Sequence, residues 1–357
     1  MKTNTFRLFV ATMVAGCGVV AGCISDAPVE VENDHELVEI KLNGGVNTVT
    51  VSATTKATID GMVNGKDDWS DNLSVSFARA DEGATVYDGW KSDALGASVG
   101  KNKNANSTVH PITFDSPAYY LSNKKKTKLI GWYPQVNIGS SDAFDASART
   151  VTFAAARMDG KTDYMVTEPV EGSKISGSQI SSVTFNHLLM QISVKAYTPD
   201  ENVQAIWGGI KSVSIKGLKQ KCVITLPEST AALTTKASVA FSDESASTDL
   251  PLVKANFANN VPIDYNESSP LALGAGDASA AILAGYAMFA PQQTKNIILI
   301  VDTQEGGKQE ATVNAPRDGF LAGCSYEVVL KFGSSDIAPT VTITEWKTGT
   351  NPGEVIL

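Results

Sequence analysis

The chain has 357 residues, of which 43% are hydrophobic and 19% are charged, and its formal net charge is −9. This composition predicts folded domains rather than a disordered chain, and the length allows about two of them. The acidic balance excludes a basic nucleic-acid-binding face, so no nucleic acid is expected as a partner. The three histidines, His35, His110 and His187, are too few to favour a histidine-based active site or zinc site.

The first 22 residues have the features of a secretory signal. Lys2 and Arg7 precede a short apolar run that ends in small residues and a cysteine. The run is too short to cross a bilayer, since a spanning helix needs about 20 apolar residues. Residues 20–23, Val-Ala-Gly-Cys, resemble the lipobox of bacterial lipoproteins, in which the cysteine is lipidated and becomes the new N-terminus. We expect lipidation at Cys23, with Cys17 as the alternative because the same three letters precede it.

The next segment predicts a tether followed by strands. Residues 23–35 are acidic and lack a periodic apolar pattern. From there Val38, Ile40 and Leu42 alternate with polar residues, which predicts a strand of period two, and Asn-Gly-Gly at 43–45 predicts a turn. A second strand is predicted over residues 49–53.

Short strands separated by turn signals continue through the chain and predict an all-β fold built from sandwiches. Residues 92–109 are rich in Ser, Asn, Lys and Gly, and predict a long exposed loop. The best helix candidate is 278–287, and residues 201–209 could form one turn. A Gly- and Ser-rich stretch at 171–182 predicts the domain boundary, with an N-terminal domain at 36–178 and a C-terminal domain at 179–357.

The sequence shows no pattern typical of catalysis. It lacks a nucleophile elbow, a complete phosphate loop and an EF-hand, so we expect no catalytic residue, no metal site, no cofactor and no enzymatic activity. The basic run at 124–126 with Lys128 predicts a charged hairpin tip, with contact to an acidic glycan or lipid headgroup as the alternative. The aromatic pairs at 119–120 and 132–133 predict sheet packing, with a sugar platform as the alternative. We predict that His187 is a hydrogen-bonded structural residue.

Two cysteines lie outside the signal, Cys222 and Cys324. In an oxidising compartment they could form one disulfide between strands of the C-terminal half. They could equally be two buried thiols, because unpaired cysteine packs as a small hydrophobe.

Four stretches carry short motifs in a definite order. The first is Thr-Lys-Ala-Thr-Ile-Asp-Gly at 55–61, followed by Trp69 and a strand at 73–77. The second is Tyr-Tyr at 119–120 with Gly-Trp-Tyr-Pro at 131–134. The third is Asp-Tyr-Met at 163–165 with Val-Thr-Phe-Asn-His-Leu-Leu-Met-Gln-Ile at 183–192. The fourth comprises Phe-Ala-Pro-Gln at 289–292, Ala-Gly-Cys-Ser-Tyr at 322–326 and Thr-Ile-Thr-Glu-Trp at 342–346.

This order, together with the lipobox, resembles the fimbrillin-like pilins that build type V pili on gram-negative outer membranes. The resemblance implies two tandem transthyretin-like β-sandwich domains and a structural subunit of a cell-surface fimbria that supports adhesion. It implies export to the outer membrane as a lipoprotein, with other pilin subunits and a trypsin-like processing protease as partners. The receptor on a host or bacterial surface stays unspecified.

The resemblance also implies an assembly route in which a protease cuts after a basic residue beyond the first strand. We expect the cut at Lys56, where the family commonly has Arg, with Arg79 as the alternative. The strand that leaves would present Val38, Ile40 and Leu42, or Val49 and Val51, as its inward face. Its vacated groove would then receive a strand from another subunit by β-augmentation.

The candidate donor strand is 340–357, whose apolar residues are Val341, Ile343, Trp346, Val355, Ile356 and Leu357. The alternative is a last strand packed in its own domain. At the level of function, the alternative is a tip adhesin or a non-polymerising glycan-binding surface lipoprotein.

Overall fold

The structure is a computed structural model. It describes residues 37–46, 50–51, 53–54, 72–100, 109–136, 142–153, 159–219, 221–242, 249–253, 265–292 and 295–344. The fold of these residues is all-β, as predicted. The strands up to residue 187 are β1 (Leu42–Val46), β2 (Thr50–Val51), β3 (Ala53–Thr54), β4 (Leu73–Asp81), β5 (Leu95–Val99), β6 (His110–Phe114), β7 (Thr127–Tyr133), β8 (Ala143–Asp145), β9 (Thr150–Phe153), β10 (Met165–Thr167), β11 (Val170–Gly172) and β12 (Ser182–His187).

The strands that follow are β13 (Met190–Thr198), β14 (Ile210–Ile215), β15 (Lys221–Thr225), β16 (Ser238–Ser242), β17 (Leu250–Pro251), β18 (Gly274–Ala275), β19 (Ile282–Phe289), β20 (Ile297–Thr303), β21 (Gly307–Val313), β22 (Ser325–Phe332) and β23 (Ile337–Thr344). Within the described residues there is one α-helix, α1 (Glu201–Trp207). The Asp200 carboxylate accepts a hydrogen bond of 2.9 Å from the Val203 amide and so caps its first turn.

The first sheet has eight strands in the order β10-β12-β1-β6-β5-β4-β7-β11. Because β10 also pairs with β7, the hydrogen-bonded path closes on itself. An N-terminal core lies on its inner side, where the ring of Phe77 meets those of Phe114 and Phe185 at centroid distances of 5.6 and 6.2 Å. β7 is buried along nearly its whole length because its two faces pack into different cores, Leu129 into this one and Ile130 into the next.

A second sheet, in the order β16-β15-β9-β8, joins strands from both sides of the predicted domain boundary. Cys222 of β15 lies opposite Phe153 of β9. The apolar residues of this second sheet form a junction core with the outer face of β7. In this core the ring of Tyr164 stacks on that of Phe153, with 4.6 Å between the ring centroids.

Apart from the short β2–β3 pair, the remaining strands form two facing sheets around a C-terminal core. One has the order β18-β13-β22-β23, with β19 also paired to β13, and the other has the order β17-β14-β20-β21. Helix α1 closes one end, where the Trp207 ring meets Phe332 at 5.5 Å and its indole nitrogen donates to the Gly333 carbonyl at 2.7 Å. This part is a β-sandwich, since apolar residues of both sheets meet in one cluster.

The described residues belong to one compact unit that begins at Leu37. β12 follows the predicted boundary, yet it pairs with β1 and β10 of the first sheet. The tandem arrangement and the division at residue 179 stay predictions.

Two predictions near the N-terminus were wrong. Asn43, Gly44 and Gly45 lie inside β1 rather than in a turn. Close packing explains the glycine, because a Cβ on Gly44 would lie 2.9 Å from Ile112 Cδ1. The single strand predicted over 49–53 is instead a pair of short strands, in which Thr50 of β2 lies opposite Thr54 of β3.

Two further predictions were wrong because small residues obscured the alternation of apolar and polar residues that marks a strand. The loop predicted over 92–109 contains β5, whose Ala97 and Val99 are buried among larger neighbours. The helix predicted over 278–287 is one 3-10 turn, Ala278–Ala280, followed by β19. Pairing of β19 with β13 along its length outweighs the helix propensity of its alanines.

Candidate functional site

The first described segment, 37–46, is held by its neighbour along most of its length. The Ile40 amide donates to the Ala118 carbonyl at 2.7 Å, and the Tyr120 amide donates to the Val38 carbonyl at 3.0 Å. Glu39 and Tyr119 form an isolated bridge between these bonds. The segment that ends in β1 is therefore extended before β1 itself begins.

β1 is an interior strand, paired on both edges. Leu42 lies opposite Ile112 of antiparallel β6, and Gly44 lies opposite Val183 of parallel β12. Removing β1 would leave two unpaired edges that face each other across a slot. The other strands of the sheet would stay connected, because β10 pairs with both β12 and β7.

Side chains of this segment alternate between core and solvent. Ile40 and Leu42 are only 2% and 3% exposed, and Val38 packs half-buried against the same N-terminal core. Glu39 and Lys41 between them are exposed. The predicted period-two burial is confirmed at these positions. Each buried aliphatic side chain contributes about 1.5–3 kcal/mol of stability.

Of the two candidate cleavage residues, Lys56 and Arg79, only Arg79 lies within the described residues. Lys56 lies outside the described residues, as do Cys17 and Cys23. Arg79 lies within β4, opposite Leu129 of β7, and its Nε contacts Asp81 Oδ1 at 2.9 Å. Because β4 is paired on both edges, cleavage after Arg79 would require the sheet to open.

The donor-strand candidate is divided between described and undescribed residues. Val341 and Ile343 lie in β23, opposite Val328 and Tyr326 of β22. β23 therefore pairs within its own sheet, and Val341 packs against the C-terminal core. The other candidates lie outside the described residues: Trp346, Val355, Ile356 and Leu357.

Cys222 and Cys324 are free and buried in the structure. Cys222 belongs to the junction core and Cys324 to the C-terminal core. Burial raises the pKa of the Cys222 thiol to about 12 and also raises the pKa of Cys324. The structure agrees with the buried-thiol alternative and contradicts the disulfide.

The basic run predicted as a hairpin tip contains a buried lysine. Lys128 is 3% exposed, and its ammonium donates to the carbonyls of Ser229 and Ala231 at 2.7 and 2.8 Å. The same nitrogen lies 4.3 Å from the centre of the Tyr87 ring. Burial lowers the pKa of Lys128. Sequence reasoning missed this role, because the residues that hold Lys128 are remote along the chain.

A small ion network surrounds Glu171 beside that lysine. Lys126 Nζ lies 2.5 Å from one carboxylate oxygen, and the Tyr87 hydroxyl donates to the other at 2.8 Å. Burial raises the pKa of Glu171, but the hydrogen bonds from Lys126 and Tyr87 outweigh it and hold the pKa below its usual value.

The aromatic pairs mostly serve the cores. Tyr120 and Trp132 are buried, and the Tyr120 hydroxyl accepts a hydrogen bond from the Ile180 amide at 2.7 Å. Tyr119 is 39% exposed. His187 is buried with Nδ1 2.5 Å from Asp163 Oδ2, which agrees with the predicted structural role.

An open cleft of about 430 Å³ lies where β12, β16 and β19 end. Its apolar lining residues are Leu188, Val239, Phe241, Pro291 and Ala322, and its polar ones are Lys219, Gln292 and Lys295. Lys219 Nζ contacts the Phe241 carbonyl at 3.3 Å. No acidic side chain is present among the described residues that line the cleft, although the whole chain is acidic.

Neither a metal cluster nor a membrane-spanning helix occurs in the described part of the chain. No group of three or more His, Cys, Asp or Glu residues there could hold a metal ion. No helix among the described residues combines the length and apolar character needed to cross a bilayer.

The sheets and their apolar cores define an all-β sandwich protein. A putative cell adhesion protein from Bacteroides uniformis is similar in structure, with a TM-score of 0.53 at 12% identity over 87% of this chain and 98% of that one. A fimbrial assembly protein from Parabacteroides distasonis gives 0.44 at 13% identity over 86% and 99%. The tip fimbrial protein Mfa3 from Porphyromonas gingivalis, with C-terminal truncation, gives 0.39 at 8% identity over 87% and 100%. At 12% identity, the likeness to the Bacteroides uniformis protein shows the fold alone.

A protein-family model described as fimbrillin-like matches residues 55–346, and the chain belongs to this family. No curated protein matches the chain. Membership supports a role as a pilus subunit in a cell-surface fimbrium, with other pilin subunits as partners. The fimbrillin-like family is a structural rather than an enzymatic family.

Proposed function

We propose that this protein is a structural pilin subunit that supports adhesion and polymerises by protease-triggered donor-strand exchange. The precursor reaches the outer membrane as a lipoprotein modified on Cys23. A trypsin-like protease then cuts after Lys56, and the segment that contains β1 leaves. A strand from another subunit fills the slot.

The position of β1 is the observation that carries this proposal. β1 precedes Lys56 in sequence, and it lies between β6 and β12 with both edges hydrogen-bonded. One cut after Lys56 would separate β1, together with β2 and β3, from β4 and every later strand. The lipid on Cys23 would leave with β1, so the lipid would serve for delivery and not as a permanent anchor.

Once β1 has left, filling its slot with another strand is energetically favoured over leaving the slot empty. An empty slot would expose the apolar surface that Ile40 and Leu42 cover, and it would leave backbone groups of β6 and β12 unpaired. An incoming strand would pair with these backbone groups through its main-chain hydrogen bonds, and its alternate side chains would cover the apolar surface.

Limited proteolysis of the purified protein tests this proposal. We expect trypsin-like treatment to cut after Lys56 and to produce SDS-resistant ladders. Lys56→Gln should abolish both the cut and the ladders, while Lys56→Arg should keep both. Deletion of residues 345–357, which begins after β23, should keep the cut but abolish the ladders. A cut protein that stays monomeric would contradict donor-strand exchange.

The cleft with two lysines favours a second candidate function, the binding of a carboxylated glycan. Its volume of about 430 Å³ suits one or two sugar rings, with apolar walls for a ring face and Lys219 and Lys295 for a carboxylate. Glucuronic acid should shift NMR signals of cleft residues, and glucose should shift them far less. Lys219→Met with Lys295→Met should remove the preference. Equal responses to both sugars would contradict this candidate.

A further inference from the structure

We propose that the incoming strand is residues 353–357 of a second copy of this chain, and that it runs in the direction opposite to β1. In this arrangement Gly353 takes the position of Gly44, Val355 that of Leu42 and Leu357 that of Ile40. The inference rests on the proposed strand exchange. It adds the direction and register of the incoming strand and a limit on side-chain size at one of its positions.

The slot has two large inward positions and one that has no room for a side chain. Ile40 and Leu42 are buried in the N-terminal core. The next inward position is Gly44, where a Cβ would lie 2.9 Å from Ile112 Cδ1, 3.2 Å from Ile112 Cγ1 and 3.4 Å from Val99 Cγ1. A small shift of the flexible end of Ile112 would admit a methyl group, but a branched side chain needs more space. A replacement strand must therefore place glycine or alanine two residues from a large apolar residue.

An incoming strand that runs in the same direction as β1 needs apolar residues two and four positions before a glycine. The segment 345–357 contains two glycines, Gly349 and Gly353. Gly349 is preceded at these positions by Lys347 and Glu345, and Gly353 by Asn351 and Gly349. Neither glycine meets the requirement.

An incoming strand that runs in the opposite direction needs those apolar residues after the glycine. Gly349 is followed at the two positions by Asn351 and Gly353, which fill neither large site. Gly353 is followed by Val355 and Leu357. Of the two glycines and two directions in this segment, one combination fits the slot.

The reversed direction also fits the neighbouring strands. β1 is parallel to β12 and antiparallel to β6, so a reversed strand would be antiparallel to β12 and parallel to β6. Both arrangements provide complete hydrogen-bond ladders. Glu354 would take the outer position of Asn43, opposite Ser182 of β12. β23 ends at Thr344, so the proposed donor follows it and leaves the pairing of β23 with β22 intact.

Disulfide trapping in assembled ladders tests the direction. Ser182 and Thr184 are both exposed on β12, and they lie opposite Asn43 and Gly45. With Gly353 in the Gly44 position, a reversed strand places Glu354 opposite Ser182, whereas a strand in the β1 direction places it opposite Thr184. We expect Glu354→Cys with Ser182→Cys to give ladders that survive boiling in SDS until a reductant is added, and Glu354→Cys with Thr184→Cys to give none. The converse result, or trapping by neither pair in ladders that otherwise form, would overturn the inference.

A size test addresses the Gly44 position directly. Gly353→Val should abolish ladders, whereas the matched change Glu354→Val, one residue along, should preserve them. Adding Ile112→Ala to Gly353→Val should restore ladders by removing the atoms that a valine side chain would meet. Unchanged ladders in Gly353→Val would overturn the register. Absence of ladders from the cut unmodified chain would instead refute strand exchange, so the two failures are distinguishable.

Discussion

The amide nitrogen of Ile40 donates a hydrogen bond of 2.7 Å to the carbonyl oxygen of Ala118, and the side chain of Ile40 is 2% exposed. One residue thus ties the first segment to its neighbour through the backbone and to the N-terminal core through its side chain. The proposed exchange has to replace both interactions.

Ile40→Ala should destabilise the uncut protein by about 2–5 kcal/mol, because it removes a buried aliphatic side chain and leaves a cavity. Lys41→Ala on the exposed face of the same segment is the matched control and should change the unfolding free energy little. Urea unfolding measures both. After cleavage, the Ile40→Ala segment should dissociate faster than the unmodified one. Equal stabilities of the two variants would show that Ile40 does not contribute to the core as described.

Lys128→Met should destabilise the protein by about 1–3 kcal/mol for each carbonyl left without a donor. The two carbonyls are those of Ser229 and Ala231. Lys308→Met, at an exposed position of β21, is the control. Hydrogen exchange around residues 229–231 should also rise in the Lys128 variant. Unchanged exchange there would contradict the anchoring of this loop by Lys128.

Glu171→Gln should reduce stability near neutral pH but have a smaller effect in acid. The folded protein holds the pKa of Glu171 below its usual value, since the hydrogen bonds from Lys126 and Tyr87 outweigh the effect of burial. The ionised carboxylate therefore stabilises the fold above the unfolded-state pKa, and this contribution is lost as pH falls through the folded-state pKa. Urea unfolding at a series of pH values from neutral to acid measures it, with exposed Glu267→Gln as the control. A difference between wild type and Glu171→Gln that does not depend on pH would refute this assignment.

Cys222 and Cys324 should resist alkylation in the native protein and react only after unfolding. Burial raises the pKa of both thiols, so little of either is present as the reactive thiolate near neutral pH. Mass spectrometry of peptides after iodoacetamide treatment, with and without urea, measures each site separately. A peptide pair joined through Cys222 and Cys324 would contradict the free thiols of the structure.

The sequence predicted the fold class and the burial of the first segment because both depend on local alternation. Val38, Ile40 and Leu42 alternate with polar residues, and this pattern is directly visible. Gly44 was misassigned to a turn because its close contact with Ile112 comes from a strand remote in sequence. Lys128 was missed for the same reason, since the loop that binds its ammonium lies about a hundred positions away.

Mass spectrometry of the N-terminus of this subunit in surface filaments tests the central claim most directly. The account predicts a chain that begins at Ala57 and lacks the segment that contains β1. A chain that begins at lipidated Cys23 and retains residues 37–46 within the filament would contradict it.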